Sequence, residues 1–126
     1  MPETHRQRIG RWGEATAAEY LSKRGYAILA RNVHTRYGEI DLLARAPEGM
    51  LVFVEVKTRT SRSFGYPEEA VDARKLGHLV SSAEAYLQEH PDLDFQGWRI
   101  DVIAIEGRPG EELDRVGIEH FENISA

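Results

Sequence analysis

The chain contains no cysteine, so disulfides, thiolate metal sites and cysteine nucleophiles are excluded, and any metal must be held by oxygen or imidazole. Long apolar runs are missing as well. The stretch from Leu51 to Val54 falls far short of the roughly 20 residues that a membrane span needs, and the start MPETHRQRIGRWGE has no hydrophobic signal core. A cytoplasmic location is the expectation. Glycine-rich phosphate loops and a serine elbow are also lacking, which argues against P-loop nucleotide hydrolysis and serine-nucleophile chemistry.

What is present is the composition of an ordinary globular chain: 126 residues, 41% hydrophobic and 29% charged. That length suits one domain spanning 1–126, with a polar arm at 1–9 and an acidic loop at 106–117. The net charge of −5 speaks against a general polyanion binder, but it hides an asymmetry. Residues 1–62 carry eleven Lys/Arg and seven Asp/Glu, a net +4, whereas residues 63–126 are net −9. The basic charge lies in the half that holds the unusual acids described below.

The segment GRWGEATAAEYLSKRG reads as a first helix, with an Ala-rich interior, Lys23 and Arg24 in its last turn and Gly25 as its stop. YAILARNV and GEIDLLAR read as two strands of a hairpin, and MLVFVEVKTR as a central strand. A long helix follows from about Asp72, with Leu76, Leu79, Val80, Ala83 and Leu87 at helical spacing and Pro91 beyond its end. WRIDVIAIEG supplies another strand, and GIEHFENI can add one more. The order α-β-β-β-α-β implies the α/β class, a mixed β-sheet core flanked by helices.

Three acids sit where apolar residues are expected. Glu55 and Lys57 share one face of the most hydrophobic strand, a costly position unless the charges are paired or coordinate something. A simple same-face ion pair is one explanation. The pattern recurs in GEIDLLAR, where period two puts Ile40 and Leu42 on one face and Glu39 and Asp41 on the other. Glu14 occupies the row Glu14, Ala17, Ala18, Leu21, the face of the first helix expected to meet the core. Gathered carboxylates repel one another unless a cation neutralises them, and hard oxygen donors favour Mg²⁺ or Mn²⁺. A Lewis acid with a fixed lysine beside it is what phosphodiester hydrolysis requires.

Asp41, Glu55 and Lys57, preceded by Glu14, resemble the site pattern of the PD-(D/E)XK nuclease superfamily. The phrases GEIDLLAR, VFVEVKTR, FGYPEEAV and RIDVIAI are similar to those of the YraN family, small resolvase-like members of that superfamily. The resemblance covers about residues 8–105. It implies a restriction-endonuclease-like core, Asp41 and Glu55 as metal ligands with the Val56 carbonyl and Glu14 completing the shell, and Lys57 positioning the attacking water. Ile40 stands where the superfamily's name has proline, a position that is not a ligand. It further implies an endonuclease acting on DNA, branched or single-stranded, and a possible homodimer. Alternatives are a non-catalytic nucleic-acid-binding module of the same fold, and an adaptor whose acidic half docks a basic protein.

Arg11, Arg59 and Arg62 are candidate phosphate contacts, or else parts of a solvated basic surface. Trp12 and Tyr66 read as packing residues, and Asp101 as the partner of an arginine. His5, His34, His78, His90 and His120 lack ligand spacing and read as surface or cap positions.

Overall fold

The computed structural model describes residues 2–60 and 71–124. Its elements run α1 (His5–Lys23), β1 (Ala27–Thr35), β2 (Gly38–Arg45), β3 (Leu51–Arg59), α2 (Ala73–Glu89), β4 (Trp98–Glu106) and β5 (Gly117–Phe121). A 3-10 turn at Leu113–Arg115 precedes the last strand, inside the stretch read as an acidic loop. The expected order is present, including the additional C-terminal strand. FGYPEEAV, apart from Val71, lies outside the described residues, as do Arg62 and Tyr66.

One boundary differs from the sequence reading. α1 starts at His5 rather than Gly10, so most of the expected polar arm is helix. The cause is a capping box: the Thr4 hydroxyl accepts the Gln7 amide at 3.1 Å, and the Gln7 side chain accepts the Thr4 amide at 2.9 Å. The other end is as expected. Gly25, at φ 89°, donates to the Ser22 carbonyl while Tyr26 donates to that of Leu21, the hydrogen-bond pattern of a Schellman stop. Asp72 caps α2 by accepting the Lys75 amide.

The five strands form one sheet in the order β1-β2-β3-β4-β5, antiparallel except for the parallel pair β3 and β4. Parallel neighbours need a crossover, and α2 lies in that connection. α1 and α2 serve opposite faces. Ala17, Ala18 and Leu21 of α1 join Leu42, Val52, Val54 and Ile103 in one core cluster. Leu79 and Ala83 of α2 join Leu43, Leu51, Phe53 and Ile100 in the other. β3 and β4 are therefore buried on both faces, which is why their sequences read as near-continuous apolar runs.

Behind β4 lies a buried polar cluster. The Arg99 guanidinium donates to both Asp101 oxygens and to the Tyr26 hydroxyl. Asp101 also pairs with His120 Nε2 at 2.7 Å and accepts the Asn123 amide. The arginine partner expected for Asp101 is thus found. His120 is not a surface residue; the cluster fastens β5 to β4, and its second ring nitrogen meets Tyr20 of α1 at 3.1 Å. Its neighbours hold the Asp101 carboxyl below the usual carboxylate range despite burial.

α1 reaches the sheet through Gly13. A Cβ there would lie 1.9 Å from Thr58 Oγ1 of β3, whereas Gly10 faces open space. Gly13→Ala should accordingly cost about 1–3 kcal/mol in urea unfolding through overpacking. Gly10→Ala should be neutral or stabilise by up to about 1 kcal/mol through helix propensity. Equal effects at the two positions would contradict the close approach.

Candidate metal centre

Strand register decides where the site lies. β2 pairs with β3 from Arg45 and Leu51 only as far as Leu42 and Val54. β1 stays with β2 to Thr35 and Gly38, and β3 stays with β4 to Arg59 and Glu106. The sheet forks between its second and third strands, and Asp41 stands at the fork. Its Oδ2 accepts the Val56 amide at 2.8 Å, the place a strand carbonyl would otherwise take. The fork breaks the period-two reading of GEIDLLAR. Ile40 packs on the α2 side and Leu42 on the α1 side, so these two do not share a face as expected.

Glu55 lies on the β3 segment that continues past the fork and is 5% exposed. Lys57 Nζ is 3.2 Å from its Oε1, and Lys75 of α2 is 3.5 Å from the same oxygen. The same-face ion pair considered from the sequence therefore exists, shared with a second lysine. Glu14 comes in from α1, half-buried beside Gly13, Ala17, Ala18 and Leu21, which are buried as its helical row suggested. Glu14, Asp41, Glu55 and Lys57, drawn from three elements, are thus brought to one place.

The electrostatics record the crowding. Burial, then the Glu55 charge, pushes the Asp41 carboxyl from 3.8 up to about 7; the Val56 hydrogen bond opposes this, and Glu14 and Glu39 add to it. Glu14 is raised by burial and by Glu39, with the Asp41 carboxyl and the Asn32 amide acting the other way. Four carboxylates from α1, β2 and β3 therefore feel one another. This oxygen-rich donor set, with Asp41 held partly protonated for want of positive charge, fits a hard divalent cation. Asp41, Glu55 and Glu14, with the Val56 backbone beside them, are the side chains that would have to close on it, since among the described residues only Asp101, His120 and Glu122 already bring three such ligand atoms within 4.8 Å of one another.

Three contributors escaped the sequence reading. Glu39 was visible as the face-mate of Asp41 but was not placed in the site. Lys75 carried no signal, since only the packing of α2 brings it to Glu55. Asn32 lies across β1 and β2 from Asp41, between the pairs Arg31 with Leu42 and Val33 with Ile40. With its side-chain amide turned so that the nitrogen donates, the orientation its acidic neighbours require, that nitrogen lies 2.9 Å from Glu14 Oε1 and 3.0 Å from Glu39 Oε1, and its backbone is left-handed at φ 51°. Asparagine is among the few residues that tolerate that conformation, so an Asn within a segment read as a strand was the available clue.

Of the candidate phosphate contacts, Arg59 ends β3, and its Nε is buried with no hydrogen-bond partner among the described residues. Arg11 is held at 2.7 Å by Glu3 on the surface. Trp12 packs against the α1-side core, as read. Asp101, His120 and Glu122 could also gather around a cation. Arg99 already bonds both carboxylates, so that group is an ion-pair cluster. Among the described residues no helix is long and apolar enough to cross a membrane.

Residues 13–105 match the model of a family described as "Uncharacterised protein family UPF0102". The chain is 53% identical over 97 residues to a UPF0102 protein of Syntrophomonas wolfei, covering 77% of this chain and 83% of that one. A UPF0102 protein of Caldanaerobacter subterraneus is 42% identical, with 98% of both chains covered. Among solved structures, a complex of EndoMS with double-stranded DNA gives a TM-score of 0.45 at 22% identity, over 82% of this chain and 39% of that one. Pyrococcus furiosus SfsA with Ca²⁺ gives 0.38 at 15% identity, over 92% and 63%.

Two measurements probe the centre. In chelator, Asp41 binds its proton more tightly folded than unfolded, so its contribution to stability falls as pH rises from about 4 through 7. The parent should lose melting temperature across that window relative to Asp41→Asn, and saturating Mn²⁺ should remove the difference in slope; parallel curves in chelator would contradict the crowding. Asn32→Ala should destabilise by about 1–3 kcal/mol, combining the left-handed penalty with the lost amide. Asn32→Gly, which relieves the backbone, should cost about 1 kcal/mol less in the same denaturant titration.

Proposed function

The chain belongs to the uncharacterised protein family UPF0102, the YraN family, and we propose that it is a metal-dependent endonuclease hydrolysing phosphodiester bonds of DNA. The observation that carries this reading is the convergence of Glu14, Asp41 and Glu55 at the fork of the sheet, with Lys57 3.2 Å from Glu55.

In this reading Asp41, Glu55, the Val56 carbonyl and Glu14 hold Mg²⁺ or Mn²⁺. When bound, the cation supplies a Lewis acid for the phosphate and neutralises the gathered carboxylates. The chain's own groups do the remaining work. Asp41 is fixed by the Val56 amide, so its other oxygen keeps one direction. Lys57 is not a ligand; it orients the attacking water and offers fixed positive charge to the pentavalent transition state. Lys75 holds Glu55 from the α2 side. Arg59, whose Nε has no hydrogen-bond partner among the described residues, shares the face of Glu55 and Lys57 by strand alternation and can meet a neighbouring phosphate.

Labelled single-stranded, duplex, flap and four-way DNAs, with RNA alongside, incubated with Mg²⁺, Mn²⁺ or chelator, test the proposal. Cleavage should require metal. Lys57→Ala should keep Mn²⁺ affinity in isothermal titration while lowering cleavage about 10²- to 10³-fold, and Glu55→Ala should lose both. A parent protein that binds these nucleic acids but cuts none of them with either metal is a binding module of the same fold, not an enzyme.

A further inference from the structure

A cavity of about 550 Å³ opens where α1 begins and β3 ends, lined by His5, Arg8, Ile9, Thr60, Arg108 and Pro109. Its polar side chains come from three parts of the chain and include no carboxylate. The Arg8 guanidinium touches only the His5 ring among the described residues, at 3.3 Å, and Arg108 is held through its backbone amide, which donates to the Glu111 carboxylate, so that its guanidinium is not the group engaged.

The placement of these cations is costly. The first turn of α1 carries no acid, but His5, Arg6 and Arg8 crowd the end where the helix dipole is positive. Cations there are disfavoured, whereas an anion is favoured both by the dipole and by the free amides. Nothing in the core requires them, since Arg6, Arg8 and Arg108 are exposed. A bound anion reverses the sign of each of these terms.

The cavity also stands in a fixed relation to the acids. From Glu14 back to Arg8, α1 rises about 9 Å, and from Lys57 to Thr60, β3 advances about 10 Å. Two independent elements thus give the same offset. An offset of that size is within the reach of neighbouring phosphates along one strand, which stand further apart than the axial rise of about 3.4 Å per nucleotide.

We infer that this cavity seats a backbone phosphate of a polynucleotide, a short distance along the same strand from the phosphate held at the fork. The distance rests on the nuclease reading; the anion site itself does not. Its contacts are to phosphate, so it supplies affinity and direction without sequence preference.

Binding in chelator tests this without any cleavage. Labelled 20-mers of single-stranded DNA, duplex DNA and RNA are titrated by fluorescence anisotropy at several salt concentrations, with the parent, Arg8→Ala/Arg108→Ala, Arg8→Lys/Arg108→Lys and Arg24→Ala. Arg24 lies at the opposite end of α1. The Ala pair should weaken binding of at least one polymer about tenfold or more and flatten log K against log salt by about 1. The Lys pair should keep the parent slope, since a point charge serves a phosphate, and Arg24→Ala should match the parent. Inorganic phosphate should compete for the parent far more weakly than the 20-mer.

An unchanged slope for a folded Ala pair, or a parent that binds none of the three polymers, overturns the inference. Binding that depends on Arg8 and Arg108 in a protein that cuts nothing upholds the phosphate seat and overturns the nuclease reading alone.

Discussion

Where the pairing of β2 with β3 stops, the Val56 amide has no strand carbonyl to bond, and the Asp41 carboxylate takes it at 2.8 Å. That bond lets a sheet interior come apart without leaving a buried donor unpaired. It lets the β1–β2 hairpin diverge from β3 and β4, and the divergence makes room for Glu14 and Glu55 beside Asp41. Without it the two strands would zip on, and the acids would be buried against one another or turned to solvent. The fork is thus at once a feature of the fold and the seat of the candidate chemistry.

The surrounding structure holds this opening at a cost in stability that is confined to the site. Asp41 and Glu14 are pushed toward protonation by burial and by neighbouring carboxylates, Glu55 foremost for Asp41 and Glu39 for Glu14. Asn32 adopts a left-handed backbone in a strand to place its amide between Glu14 and Glu39. Strain and like charge of this kind persist only when the rest of the fold over-determines them. Here that support is two apolar layers on a doubly covered β3–β4 pair, and the Arg99–Asp101–His120 cluster that fastens β5. The two polar clusters contrast instructively. Behind β4 an arginine supplies the positive charge, and Asp101 is held ionised; at the fork, among the described residues, lysines on the Glu55 side do so, and Asp41 is left short of it.

Much of the fold was legible because it rests on local rules. Period two marked the strands, helical spacing marked the buried face of α2, and Gly25 and Asp72 marked helix ends. The start of α1 was misplaced because the Thr4 and Gln7 box was overlooked, although it stands in the sequence as a local signal. The acids themselves were legible for a simple reason: a carboxylate in an apolar strand is expensive, and its position is conspicuous wherever the fold later puts it.

By itself, then, the sequence determined the element order, the central place of β3, the lack of thiolate donors and the identity of Glu14, Asp41, Glu55 and Lys57 as residues out of keeping with their surroundings. Only the tertiary structure decided that Ile40 and Leu42 part company at Asp41, that Lys75 and Asn32 reach the acids, that His120 is buried against Asp101, and that Arg8 and Arg108 border one cavity. The reason is physical. Local propensity and periodicity are set by near neighbours along the chain, whereas the end of a strand pairing, the meeting of distant charges and the shape of a cavity depend on register between segments that the sequence places far apart.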